Sequence, residues 1–200
     1  MKKLMFVAVI LFSHVAFSQD AGVSKSGPEY TADTETQLKF PKQYREWIYL
    51  STGIDMAYFP RAGTAENHMF TSVFVNPEAY RAFMNTGTWP DKTMLVLEGR
   101  HAETTEVINK SGEYQGGVTG VEAHVKDEKR FPGKWAFFVF SNQDSAKMLP
   151  PSAPCYSCHD DHAAVDKTFV QFYPTLMEVA RKKGTLSPAY LKENPAGPAK

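Results

Sequence analysis

Cysteine is scarce in this chain: 200 residues hold only two, Cys155 and Cys158. A disulfide framework is therefore excluded as the source of stability, because a bridge between these two would close too small a loop to matter for a fold of this size. An excess of charge of either sign is also lacking, since 22 Lys and Arg balance 22 Asp and Glu. No strong field recruits nucleic acid or an anionic membrane. Beyond the N-terminus no apolar run approaches the roughly 18 residues that a spanning helix requires. Internal repeats and low-complexity blocks are absent as well. What is present is ordinary for one soluble domain, with 42% hydrophobic and 22% charged residues. Aromatics reach 13%, which suits a β-rich core and a cofactor pocket alike.

The first residues read as an export signal. Met1-Lys2-Lys3 is basic, Leu4 to Phe17 is apolar except for Ser13 and His14, and Ala16-Phe17-Ser18 sets small residues around a cleavage point. The expectation is a signal peptide over 1–18, cleaved near Ser18, and a periplasmic mature protein with no membrane segment. Residues 19–38 are polar and read as a loose lead-in, 39–183 as the domain, and 184–200, with Pro188, Pro195 and Pro198, as a loose tail.

Within the domain, β-prone runs dominate: Glu46 to Ser51, Met69 to Val75, Thr93 to Glu98, Gly117 to Val125 and Trp135 to Phe140. One internal helix starts at Asn76-Pro77 and stops before Gly87. A last helix is expected from about Asp166 toward Lys183, kinked or restarted at Pro174. The fold class is α+β, mainly an antiparallel β-sheet, with one internal helix and a C-terminal helix after the cysteine segment.

That segment, Cys155-Tyr156-Ser157-Cys158-His159, is C-x-x-C-H, the attachment sequence of c-type haem. Two thiols at this spacing reach the two vinyl groups along one porphyrin edge, and the next residue is a histidine that can ligate the iron. Three other chemistries use similar residues. A redox dithiol needs a preceding βαβ unit, zinc needs a second ligand pair at a distance, and a disulfide here would be strained. The expected cofactor is one haem c, attached through Cys155 and Cys158, with His159 as axial ligand. His162 falls one helical turn past His159, and His68, His101 and His124 sit in or beside strands. Met56, Met69, Met94 and Met148 are the thioethers that a six-coordinate electron carrier could use.

Six segments, in order, carry a family resemblance over Phe40 to Leu176: FPKQYREW, NPEAY, TGTWPDKTMLVLE, GVEAHVKDEKRF, KWAFFVF and CYSCHDDHAAVDKTFVQFYPTL. The chain resembles cytochrome P-460 and its relative, the β-type cytochrome c′. The resemblance implies a sheet-dominated homodimer with five-coordinate haem c and an open distal face. Cytochrome P-460 oxidises hydroxylamine, whereas the β-type cytochromes c′ bind nitric oxide and other small gases. The lysine that crosslinks to the porphyrin in the former matches Leu97 here, a distal arginine matches Thr71, and a distal carboxylate matches Glu122. With leucine and threonine in place of two cations, Leu97, Val96 and nearby aromatics point to an apolar distal pocket for neutral diatomic ligands. Glu122 would be its proton acceptor. The expected partners are a small nitrogen oxide and a redox carrier such as another cytochrome. A peroxidase-like or hydroxylamine-oxidising enzyme and a six-coordinate electron carrier are the alternatives.

Overall fold

The computed structural model describes residues 26–32, 36–57 and 67–195; the expected signal peptide and the start of the lead-in lie outside the described residues. Five strands follow one another in a meander of antiparallel pairs: β2 (Ile48–Ile54), β3 (Met69–Val75), β4 (Met94–Glu103), β5 (Tyr114–Lys126) and β6 (Trp135–Phe140). A second, two-stranded sheet pairs β1 (Gln37–Lys39) with β7 (Ser145–Lys147). Among the described residues four α-helices complete the fold: α1 (Pro77–Thr86), α2 (Pro154–His162), α3 (Pro174–Lys183) and α4 (Pro188–Glu193). The sheet-dominated α+β class expected from the strand runs is what forms.

Both faces of the meander are covered, which is why β4 begins as the unbroken apolar run Met94-Leu95-Val96-Leu97 rather than an alternating one. Successive side chains leave opposite faces. Leu95 joins Val75 and Trp135 against Phe83 of α1, Leu176 and Met177 of α3 and Tyr190 of α4. Met94 and Val96 join Leu38, Tyr44 and Phe138 on the other side, so Val96 faces away from Leu97 and does not share the pocket expected for both. The N-terminal segment is thus part of the fold where it reaches the sheet: Leu38 is fully buried.

Helix α1 forms as its flanks dictate. Pro77 occupies the first turn, and Gly87 ends the helix in the left-handed region at φ 77°. A Cβ at Gly87 would also come within 2.8 Å of Lys183 Cβ, so α3 can approach only a glycine. Asn76 does not cap with its side chain. Its Oδ1 accepts from the Met94 amide at 2.8 Å and ties the helix start to β4.

Two expectations are corrected. No helix begins at Asp166. Asp166 and Lys167 have φ of 45° and 60°, which no right-handed helix admits, and they form the two central residues of a tight turn closed between Val165 and Thr168. A single 3-10 turn over Val170–Phe172 follows, and the helix starts afresh at Pro174, in its first turn. The segment after Gly184 is also structured. Ser187 caps α4 by accepting from the Tyr190 amide at 3.1 Å, and Tyr190 is 4% exposed in the core.

Candidate functional site

The C-x-x-C-H spacing acquires its meaning from α2. The Pro-rich loop ends at Pro154 in the first turn of the helix, and Tyr156 anchors it by donating to the Leu149 carbonyl at 3.0 Å. On a helix, positions i, i+3 and i+4 share a face. Cys155, Cys158 and His159 therefore face together into a cavity of about 710 Å³, within the usual range for small-molecule sites.

The opposite wall is the sheet. Its register places Ser51, Val73, Leu97, Glu122 and Val139 in one row across all five strands. The adjacent row on one side is Gly53, Thr71, Gly99 and Gly120; on the other it is Ile48, Val75, Leu95, His124 and Phe137. Thr71, Leu97 and Glu122, read from scattered strands, thus line the same cavity as the two cysteines and His159. Lys92, close to Leu97 in sequence, is not in it. It sits in a left-handed residue before β4, and its ammonium pairs with Asp127.

The His159 ring is fixed through one of its two nitrogens. Its Nδ1 donates to the carbonyl of Lys167 at 2.7 Å, which leaves the lone pair on Nε2. Burial pushes its pKa down, so the imidazole is neutral and able to coordinate. Phe169 packs on the ring with centroids 4.0 Å apart, and Phe137 lies at 4.7 Å.

His124 was named in the sequence only as a strand histidine. It lies in the cavity wall, stacked on Phe137 at 4.0 Å and 9° and edge-on to His159 at 4.8 Å. Burial holds it neutral, and its buried Nε2 has no hydrogen-bond partner. An orphaned polar atom beside a large apolar cavity is a group that a bound molecule would satisfy. The alternation Glu122-x-His124 was the signal that could have placed it on this wall; the Lys167 carbonyl, being backbone, carried none.

Glu122 has no such partner shell. Its side chain reaches the lumen, yet the surrounding protein desolvates the carboxyl and holds it above the usual carboxylate range. Both thiols are likewise pushed up by burial, the reverse of an activated redox dithiol, and neither is in a disulfide. Among the described residues no three His, Cys, Asp or Glu side chains converge as a metal-binding group, so the zinc alternative lacks its donors. His162 also lines the cavity, with its Nδ1 paired to Glu193 at 2.7 Å, and His68 pairs with Asp55. Met56 lines the cavity, whereas Met94 is buried in the opposite core, Met148 packs against that core and Met69 of β3 is not among the lining residues. Among the described residues no helix is long and apolar enough to cross a membrane.

A helix face with two thiols and a neutral imidazole, set against an apolar wall, has the donor set and the room for a haem. Comparison with curated proteins returns no match. The family profile described as Cytochrome P460 matches residues 41–170, which span the whole meander, the cysteine helix and the turn that holds His159. The chain belongs to the cytochrome P460 family, and it is a haem-binding cytochrome.

Proposed function

We propose that this chain is an exported, periplasmic monohaem c-type cytochrome whose distal side takes up small nitrogen oxides, nitric oxide first among them. Cys155 and Cys158 would hold the haem covalently, each as a thioether to one vinyl-derived carbon. Nε2 of His159 would hold the haem iron. When bound, the haem iron supplies ligand-binding and one-electron chemistry. The chain supplies the surroundings. Val73 and Leu97 keep the sheet wall apolar, which favours neutral diatomic ligands over ions. The Lys167 carbonyl fixes the His159 ring, and Glu122 is the one carboxylate in the sheet wall able to hold or release a proton. A redox-partner cytochrome and a second copy of the chain are the proposed protein partners.

The observation that carries this reading is the shared face of α2, with both thiols and the free Nε2 directed into one large apolar cavity. A second reading, proton-coupled conversion of hydroxylamine, is favoured by Glu122 alone, whose raised carboxyl suits a proton acceptor. Maturation of the Cys155→Ser/Cys158→Ser double variant in a haem-c-competent periplasm tests the attachment. Denaturing electrophoresis with haem staining should show a coloured wild-type band and a colourless variant. Covalent haem surviving in the double variant would overturn the assignment.

A further inference from the structure

Lys126 is unusually buried for a lysine, 6% exposed at the end of β5 beside the helix-covered core. Its Nζ donates to Asp166 Oδ2 at 2.6 Å and to the Trp89 carbonyl at 2.8 Å, with Glu128 at 3.4 Å and the Trp135 ring centroid at 5.8 Å. Asp166 in turn accepts from Trp135 Nε1 at 3.3 Å. A partly buried pair of this kind is weak evidence for stability, because desolvation offsets much of the attraction. Its position suggests another use. Asp166 is the first central residue of the left-handed turn, and the second is Lys167, whose carbonyl receives Nδ1 of His159. Two consecutive non-glycine residues with positive φ persist only where their surroundings over-determine them. Here the turn is pinned at every corner. Lys126 and Trp135 hold Asp166, Lys167 Nζ pairs with Asp160 at 2.7 Å, and the buried Thr168 hydroxyl joins Trp89 Nε1 at 2.7 Å to the Val165 carbonyl at 2.6 Å.

We propose that Lys126 and Asp166 are positioning residues for the proximal ligand: the ion pair locks the Asp166–Lys167 turn, and the locked carbonyl sets the orientation and basicity of His159. The inference rests on the reading of His159 as the axial ligand. A carbonyl that cannot drift keeps a short, directed bond to Nδ1–H, and a well-made bond there makes Nε2 a stronger donor. The side chains that achieve this come from the end of β5 and the start of β6, so the proximal bond is tuned by the strands rather than by α2.

The test is the Fe–His stretching band in the resonance Raman spectrum of the ferrous, haem-loaded full chain. Lys126→Met combined with Asp166→Asn removes both charges together and avoids leaving either buried alone. The expected result is covalent haem and His ligation retained, with the Fe–His band shifted to lower frequency. Trp135→Phe removes one donor from Asp166 and should shift the band less, in the same direction. It decides the matter if the double variant fails to mature. Thr185→Ala, which removes the distant hydroxyl bond to the Gly87 carbonyl, should lower the melting temperature and leave the band in place. A band unmoved in the double variant, or in Trp135→Phe when only that variant matures, overturns the proposal. A wild-type spectrum with no Fe–His band defeats the ligand assignment itself, a distinguishable outcome.

Discussion

Replacing Thr168 by valine removes one oxygen from the centre of the machinery that holds His159. Thr168 is 1% exposed, and its hydroxyl both accepts from Trp89 Nε1 at 2.7 Å and donates to the Val165 carbonyl at 2.6 Å. Valine keeps the shape, so no cavity forms. The Val165 carbonyl keeps the Thr168 amide as donor at 2.8 Å, but the buried indole N–H is left with no acceptor. An unsatisfied buried donor costs about 1–3 kcal/mol, so a loss of about 2 kcal/mol is expected. For a chain of this length that is a fall of roughly 4–8 °C in Tm. The assay is urea unfolding of the haem-loaded protein, with an unchanged slope and a lower midpoint. Thr168→Ser keeps the oxygen and should lose only about 0.8 kcal/mol for the buried methyl. If Thr168→Val is within about 0.5 kcal/mol of wild type, or if the serine variant is as damaged as the valine, the hydroxyl bridge is not what anchors the turn.

Glu122→Gln should flatten the pH dependence of stability. The folded carboxyl holds its proton to higher pH than the unfolded one, so wild-type stability is complete below the unfolded value and declines from about pH 4 upward as pH rises through the raised folded value. The glutamine variant lacks that decline and gains on wild type toward neutral pH, by an amount reduced because the side chain reaches the lumen. Parallel urea midpoints across pH decide it, and parallel curves for the two proteins would refute the burial argument. Leu97→Lys puts an ammonium directly across the register from Glu122, which should return that carboxyl to its ordinary range or below and weaken nitric oxide uptake. Optical titration of the haem-loaded variant measures both, and unchanged affinity would mean that Leu97 does not shape the distal wall.

How far the sequence could be read depended on whether a feature was local. Strand β6, a continuous apolar run, and β3, aromatic and β-branched, lie where their residues placed them. Helix α1 carried its own stop and start in Gly87 and Pro77. The helix expected from Asp166 failed because Phe169, Phe172, Tyr173 and Leu176 do show helical spacing, while the backbone at Asp166 and Lys167 is set by partners from β5 and β6. Pro174 was the local sign of the true start. The tail after Gly184 looked aperiodic because a helix of six residues needs only one core side chain, Tyr190. In the cavity lining, Cys155, Cys158 and His159 stood out by spacing, and Thr71, Leu97 and Glu122 by resemblance. His124 was hidden among strand residues. The Lys167 carbonyl was invisible, since any residue could supply it and only the fold says which does.

In the proposed function His159 alone would ligate the haem from α2, and the cavity bounded by Leu97, Thr71 and Glu122 would leave the sixth side open to small neutral ligands. The direct test is the optical and resonance Raman spectrum of the ferrous protein, matured with haem, before and after nitric oxide. A five-coordinate high-spin haem with a His ligand that takes up nitric oxide is the predicted result. A six-coordinate low-spin spectrum that nitric oxide does not change would contradict the account, and loss of that sixth ligand in Met56→Leu would then identify an electron carrier.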